Sequence, residues 1–294
     1  MGAMASILMG LLADPADGLA KAMLPTYVRE ASEYAIAVET APDKPLELRK
    51  EPVFEWSNPA RDGVQQGVVF LWLRDGRPGA LMCVFSEPDD RIKGRKLFHE
   101  FHALDPVKLV VTRPKALNEW VPQAGLARKE LADAPAPAAT AGARLAQMRR
   151  LAQEFTGHEI DGAAKRGELR LLPAPLYRYL EAKSGVVDGA LFALVSTTGT
   201  DPEVLLLIEA REEKGVTRWE YACGRFSDQS LYVQRKDKEV WSSVRGVDNT
   251  FLHDPSHLFR VYPDKIVGLD GKLLTRLRAT EKSWWGEFVP PEDK

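Results

Sequence analysis

The chain has 294 residues, 45% of them hydrophobic, which is enough for about two globular domains with sizeable cores. Its net charge is −2, and basic and acidic residues are interspersed. Because this pattern leaves no basic patch for a phosphate backbone, we expect no nucleic-acid partner. The longest apolar stretch near the start, residues 7–12, is far shorter than the roughly 20 residues of a membrane-spanning helix. We therefore expect a soluble chain with no membrane span.

The first predicted domain covers residues 14–130 and begins with a helix. Residues 1–13 before it are interpreted as a cloning scar and a leader remnant, since a second initiating methionine stands at position 4. Asp14 suits a helix N-cap, with Pro15 at the first helical position. Apolar residues then recur at helical spacing, which predicts one buried helix face: Tyr27, Ala31, Tyr34 and Val38.

Strands are predicted after this helix, because short segments rich in β-branched and aromatic residues alternate with turn residues. These segments are 46–56, 67–73, 80–85, 96–104 and 107–112. Only short loops join them. Consecutive strands joined in this way pair antiparallel, since a parallel crossover needs a dozen or more residues.

A connector rich in Ala and Pro, residues 131–143, precedes a second predicted domain at 144–245. That domain again begins with a helical pattern, formed by Leu145, Met148, Ala152 and Phe155. Its predicted strands are 169–179, 190–196, 204–209, 217–224 and 230–234. The rest, 246–294, is predicted to be a C-terminal extension that docks on the body. It holds the adjacent Trp284 and Trp285, whose large apolar area must be covered by the body or by a partner.

The second domain is predicted to be a diverged copy of the first. Residues 46–120 align with 169–241, so that Trp56 matches Tyr179 and Gly67 matches Gly189. A period above ~100 residues is too long for a solenoid. The predicted fold class is therefore α+β with an internal duplication, each copy a helix packed on an antiparallel β-meander of about five strands. The alignment leaves open whether the copies form one body or two.

Two histidines in the predicted strand 96–104 suggest chemistry, because imidazoles can ligate zinc or transfer protons. Side chains alternate along a strand, so His99 and His102 should point to opposite faces. They cannot then share a metal without a bulge. The sequence lacks the helical arrangement in which two histidines fall on one face around a glutamate.

Glu100, between these histidines, has a structural explanation. Glu100 and Arg113 lie symmetrically about the turn at 105–106, and Glu220 and Arg235 lie in the same way about 227–228. Opposite charges that face each other across a hairpin stabilise it by roughly 0.2–1 kcal/mol. We therefore predict a cross-strand ion pair in each copy.

Other polar positions are weaker candidates. Asn58 ends a predicted strand at a polar turn that could line a groove. His253 and His257 have a spacing that suits one metal in a helix, but Pro255 between them favours a surface loop. Cys83 and Cys223 occupy non-matching places, which favours two separate thiols and leaves the redox compartment undetermined. Known nucleophile, P-loop and dinucleotide motifs are absent from the sequence, so no catalytic residue, metal or cofactor is predicted.

Several segments resemble a family of uncharacterised bacterial proteins with no assigned activity. The resemblance covers roughly 46–243 and is carried by FEWSNP at 54–59, GVVFLW at 67–72, HEFH at 99–102, 169–179, DGALFA at 188–193 and TDPEVLLLIEA at 200–210. It implies an export-type leader and hence a periplasmic or secreted protein, with the cytoplasm as the alternative. It contributes no catalytic residues.

The leading functional prediction is a non-enzymatic binding or scaffold protein built from the duplicated module. A small ligand or a protein would be its partner, since clefts at domain junctions commonly hold ligands. The alternatives are a hydrolase with a single site near His99 and His102, and a self-assembling protein that forms homo-oligomers through sheet edges. Binding candidates are the residues that the second copy does not repeat: Asn58, His99, His102, Trp284 and Trp285.

Overall fold

The protein is mostly β. The structure is a computed structural model that describes residues 15–58, 64–114, 116–123, 125–181, 185–197, 199–246, 252, 254–280 and 283–291. Strands make up 55% of it and helices 11%, with large antiparallel sheets that include a half-barrel. The predicted α+β class, with each copy a helix on a meander of about five strands, is therefore wrong.

The described residues form two helices and a long series of strands. The helices are α1 (Pro15–Ser32) and α2 (Ala141–Ala152). The strands before α2 are β1 (Ala35–Val38), β2 (Glu47–Asn58), β3 (Gln65–Arg74), β4 (Arg77–Asp89), β5 (Gly94–Ala103), β6 (Leu109–Thr112) and β7 (Lys129–Glu130). Those after it are β8 (Phe155–Ile160), β9 (Arg166–Leu171), β10 (Tyr177–Glu181), β11 (Val186–Ser196), β12 (Pro202–Glu213), β13 (Val216–Arg225), β14 (Ser230–Arg235), β15 (Lys238–Ser243), β16 (Phe259–Val267), β17 (Leu273–Thr280) and β18 (Ser283–Val289).

Two large antiparallel sheets dominate the fold. The first sheet has seven strands in the order β18-β17-β16-β5-β4-β3-β2. The second sheet has nine, in the order β15-β14-β8-β9-β11-β12-β13-β7, with β10 also paired to β11. Strands β1 and β6 form a separate pair. The C-terminal strands thus extend the first sheet, because β16 pairs with β5.

The central strands are buried on both faces. On the outer face of the first sheet, Phe70 and Met82 pack with Tyr27 of α1, and on the outer face of the second, Phe192 packs with Met148 of α2. The inner faces share a third core: Trp56, Leu71, Leu81, Cys83, Leu191, Leu205, Leu207 and Phe226. Burial on both sides explains why β3, β4, β11 and β12 read as nearly continuous apolar runs. None of the described helices has the length and hydropathy needed to cross a bilayer.

The fold-class prediction failed at two places where an apolar spacing that suits a helix continues into residues that form a strand. The predicted helix face continued to Val38, but α1 ends at Ser32 and Val38 lies in β1. Likewise Phe155 begins β8 rather than continuing α2. A four-residue spacing, as between Tyr34 and Val38, suits a strand face as well as a helix face, because strand side chains alternate with a period of two.

A glycine faces an aromatic ring at two places in the fold, one in each large sheet. Trp56 of β2 lies opposite Gly67 of β3, and Tyr179 of β10 lies opposite Gly189 of β11. A Cβ on Gly67 would come within 2.8 Å of Trp56 Cε2, and one on Gly189 within 2.5 Å of Tyr179 Cε2. Each ring therefore needs a glycine beneath it in order to lie on the sheet.

A buried ionic cluster links the two sheets. Arg77 of β4 donates from Nε to Glu209 Oε1 of β12 at 2.9 Å, and the side chains of both residues are only 2% exposed. Tyr179 Oη and Arg128 Nε also donate to Glu209, at 2.7 and 2.8 Å. Burial and the Glu209 carboxylate raise the pKa of Tyr179 well above its usual range.

We predict that Glu209→Gln destabilises the protein by about 3–5 kcal/mol, because it leaves the Arg77 guanidinium buried without a counter-ion. Urea unfolding followed by circular dichroism measures the loss. The control is Glu213→Gln on the same strand, whose side chain is 84% exposed and whose change should stay within about 0.5 kcal/mol. Similar losses in the two variants would contradict the prediction.

Candidate functional site

Strand β5 presents its candidate residues on two opposite faces. His99 and Phe101 lie in the core beneath α1, whereas Glu100 and His102 face the second sheet. His99 is completely buried and His102 is 3% exposed. The structure therefore does not bring the two histidines together, as strand alternation predicts. A site that uses both is not supported.

His99 belongs to a buried polar network between α1 and β16. Its Nδ1 lies 2.7 Å from Tyr34 Oη, and its Nε2 lies 3.6 Å from Glu30 Oε2. Arg113 donates to Asp264 Oδ1 at 2.6 Å and to Glu30 Oε2 at 3.1 Å. These contacts hold α1 against the strand that the C-terminal region contributes.

This network offers three metal-ligating side chains, since ligand atoms of Glu30, His99 and Asp264 lie within 4.8 Å of one another. Its carboxylates are already paired with cations, because Lys265 Nζ lies 2.7 Å from Glu30 Oε2 and Arg113 holds Asp264. Burial alone would raise the pKa of Glu30, but His99 and Lys265 lower it overall. A metal ion would have to displace an ammonium or a guanidinium group. The network is therefore better explained as an ionic link than as a metal centre.

The predicted cross-strand pair of Glu100 with Arg113 is wrong. Glu100 lies on β5, whose neighbours are β4 and β16, whereas Arg113 follows β6, which pairs with β1. Arg113 instead donates from Nη2 to Glu33 Oε2 at 2.7 Å. The prediction failed because residues 35–38 were interpreted as the end of a helix, whereas they form β1, the strand that pairs with β6.

The corresponding pair of Glu220 with Arg235 is wrong for the same reason. Arg235 lies on β14, which pairs with β8, and its Nη2 donates to Glu154 Oε2 at 2.5 Å. Glu220 Oε2 lies 3.2 Å from Arg211 Nε on the neighbouring strand β12. In each half the arginine thus contacts a glutamate at or just after the end of a helix, Glu33 or Glu154.

An acidic cleft lies between the two sheets. Its volume is about 290 Å³, and both sheets contribute to its walls. The acidic lining residues are Glu87 and Glu100 from the first sheet, and Asp201, Glu203 and Asp228 from the second half of the chain. The aromatic lining residues are Trp56, Phe85, Phe98 and Phe226. None of the lining residues that the structure describes is basic.

Glu100 is the unusual group in this cleft. It makes no hydrogen bond or ion pair with any residue that the structure describes. Burial raises the pKa of its carboxyl well above the usual range, and the negative charges of Asp201 and Asp228 raise it further. A partly buried carboxyl that has no counter-ion among the described residues is suited to a cation that comes from outside.

The aromatic walls around Glu100 consist of rings that pack against one another. The rings of Phe85 and Phe98 stack at 4.8 Å, and Trp56 lies 5.8 Å from Phe85. The neighbouring Glu87 is already neutralised, because Lys96 Nζ lies 3.0 Å from its Oε1. The cleft therefore combines apolar ring faces with carboxyl groups, which is the chemistry that binds organic cations.

Asn58 supports the cleft from its edge. Its Nδ2 donates to Asp201 Oδ1 at 2.6 Å, and its Oδ1 accepts from the Thr200 backbone N–H at 2.9 Å. Thr200 Oγ1 also donates to the Ser57 carbonyl at 2.9 Å. Asn58 thus fixes the loop that carries Asp201, and it is 4% exposed, which makes it a positioning residue rather than a contact surface.

His102 lies away from the acidic cleft, in a second cavity of about 230 Å³ that also involves His257. Its Nδ1 donates to the Ala103 carbonyl at 2.8 Å, and its ring lies against Gly224 of β13. Burial lowers the pKa of His102 to about 3, so its ring is neutral at physiological pH. It fills space between the sheets and is not placed to transfer protons with Glu100.

Three further candidates from the sequence cannot be placed in a site. Trp284 and Trp285 lie on β18, at the edge of the first sheet, and their side chains are outside what the structure describes. His253 lies outside the described residues. The sequence analysis missed Glu100 as a site residue, because it assigned Glu100 to a cross-strand ion pair with Arg113.

Comparison of the chain with protein-family models, with curated proteins and with solved structures finds no match. The function must therefore be inferred from the geometry and charge of the cleft itself.

We predict that Glu100→Gln stabilises the protein at pH 8. The folded protein keeps a proton on Glu100 that the unfolded chain releases above its ordinary pKa of 4.5. The stability that this protonation contributes is complete below about pH 4.5 and is lost as pH rises through the raised pKa. Thermal unfolding between about pH 4 and pH 8 should show Tm of the variant above wild type, with a difference that shrinks toward acid pH. A constant difference would contradict this assignment, and Glu213→Gln serves as the exposed control.

Proposed function

We propose that this protein is a non-enzymatic binding protein that takes a small organic cation into the cleft between its two sheets. The observation that carries the proposal is Glu100, a carboxyl inside a concave site with no partner in the described structure. Enclosing such a group costs free energy unless something compensates its charge. Binding proteins tolerate this cost where a ligand supplies the missing charge.

The cleft defines the chemistry of this ligand. A positively charged amine, amidine or quaternary ammonium group would face Glu100, with Asp201 and Asp228 within electrostatic reach. The aromatic side chains that line the cleft, among them Trp56 and Phe226, provide an apolar surface for the body of the ligand. A volume of about 290 Å³ suits a small molecule rather than a peptide chain.

The duplication predicted from the sequence is part of the proposal. Its support is that both halves place a helix before a strand, β1 or β8, that pairs with a later strand, and that both place an aromatic ring on a glycine. Ligand binding between two related halves would let the copies diverge, one supplying Glu100 and the other Asp201 and Asp228. Export to the periplasm or secretion, with the cytoplasm as the alternative, and self-association through sheet edges also remain proposals.

The proposal predicts binding of cations but not of their neutral analogue. Benzyltrimethylammonium, benzylamine and benzamidine share an aromatic body with benzyl alcohol, which is uncharged. At concentrations up to about 10 mM, at least one of the three cations should raise Tm and change tryptophan fluorescence, and benzyl alcohol should do neither. If no cation binds, or if benzyl alcohol binds as well as the cations, the proposal is wrong.

Matched variants locate the binding. At pH 8, Glu100→Gln should weaken cation binding at least about tenfold, because it removes the central charge while keeping the shape. The control is Glu220→Gln, a change on β13 outside the cleft, where Glu220 faces Arg211 and lines a different surface groove. This control should bind as wild type does.

A second candidate function, hydrolysis, follows from the same carboxyl groups. A carboxyl with a raised pKa beside ionised ones is the arrangement of a general acid with a base or nucleophile, as in glycoside hydrolysis. Since His99 and His102 lie apart, the site of such a hydrolase would be the cleft. A panel of 4-nitrophenyl glycosides tests this candidate: turnover should fall on the order of a hundredfold or more in Glu100→Gln and in Asp201→Asn. Absence of turnover with wild type would remove it.

A further inference from the structure

The groups paired with Glu100 on its own sheet are neutral, and the groups around it include negative charges from the second half of the chain, Asp201 and Asp228. On the sheet, Cys83 of β4 and the uncharged Val261 of β16 lie directly opposite Glu100. Burial raises the pKa of the Cys83 thiol well above its usual range, so Cys83 stays neutral. The other titratable groups that line the cleft with Glu100, or lie beside it, are Glu87, Lys96, Asp201, Glu203 and Asp228.

Lys96, the one cation among these groups, is paired with Glu87 and not with Glu100. Lys96 Nζ is bound to Glu87 Oε1, and Gln65 Nε2 donates to the other Glu87 oxygen at 3.1 Å. From the second half, Asp201 accepts from Asn58, and Asp228 accepts from Gln229 Nε2 at 2.7 Å. Without a ligand, a proton is therefore the simplest way for Glu100 to remain uncharged.

We propose that a cation entering the cleft displaces the proton of Glu100, so that ligand binding and proton release are coupled. This inference rests on the proposed function and adds a mode of regulation to it. The balance is simple, since no covalent bond of the ligand changes. The O–H bond of Glu100 breaks, the proton passes to solvent, and the ligand's positive charge takes its place beside the carboxylate.

Coupling sets the direction of the pH dependence. Where Glu100 is protonated in the free protein, each unit of pH increase should strengthen binding by up to about tenfold. Affinity should level off at the pH where free Glu100 is already ionised. The raised pKa of Glu100 places this rise above pH 4.5, in the range where many compartments differ in acidity. A protein of this kind would hold its ligand at neutral pH and release it on acidification.

Isothermal titration calorimetry with benzyltrimethylammonium tests the inference, because this cation keeps its charge at every pH. Titrations between about pH 5 and pH 8 give the affinity, and paired titrations in phosphate and in HEPES near pH 7 give the number of protons released, since these buffers differ in their enthalpy of protonation and neither is a net cation. We expect affinity to rise with pH and up to one proton to be released per ligand bound. Glu220→Gln should behave as wild type in both respects.

Glu100→Gln should release no proton and bind with an affinity that does not change with pH. Its disadvantage relative to wild type should shrink as the pH falls. If wild type binds the cation without releasing a proton and with flat pH dependence, the coupling is refuted while the proposed function stands. If wild type binds no cation at any pH, the proposed function fails and the coupling with it. The wild-type titrations decide the question even if the variant does not fold.

Discussion

The contact between the inner faces of the two sheets is the interaction on which the rest of the structure depends. Leu71 and Leu81 of the first sheet and Leu191 and Leu205 of the second are fully buried in one shared core. Each fully buried leucine stabilises the fold by about 1.5–3 kcal/mol. Because this contact covers one face of each sheet and a helix covers the other, the central strands β3, β4, β11 and β12 have almost no solvent face. A charged group inside this contact requires a partner of opposite charge if it is not to lower stability, and Arg77 and Glu209 provide that charge for each other.

Glu100 departs from that requirement, and the departure is what points to function. Arg77, Glu209 and Asp264 all have partners of opposite charge inside the protein. Glu100 faces the same inter-sheet space without an ion pair to any described residue, and the negative charges of Asp201 and Asp228 act on it. A partly buried carboxyl with no partner among the described residues lowers stability, so its presence beside aromatic walls in a cavity is best explained by a ligand or a proton that compensates it. Stability and binding therefore make opposite demands on this position.

Sequence reasoning located most strands between residues 46 and 112 to within a few residues, because β-branched segments and turn residues identify strands well. It failed at β1 and β8, whose apolar spacing also suits a helix. Because β1 and β8 were interpreted as helix ends, the strands that pair with β6 and β14 were not recognised. Strand β6, which precedes Arg113, and β14, which carries Arg235, were therefore paired with the wrong neighbours, which gave the mistaken pairs of Glu100 with Arg113 and of Glu220 with Arg235. The sequence analysis also did not assign the C-terminal strands to the first sheet, which they extend through the pairing of β16 with β5.

By itself, the sequence determined the local properties of this protein. It predicts antiparallel strands joined by short turns, and side chains that alternate along a strand so that His99 and His102 point to opposite faces. It also predicts that no helix is apolar enough to span a membrane, and none of the described helices is. Tertiary structure decided which strands are neighbours and which faces meet, since these depend on contacts between residues more than a hundred positions apart, such as Asn58 and Asp201. The cleft exists only through such contacts. Its walls come from both halves of the chain, and the environment that changes the chemistry of Glu100 is built by residues that no local pattern connects with it.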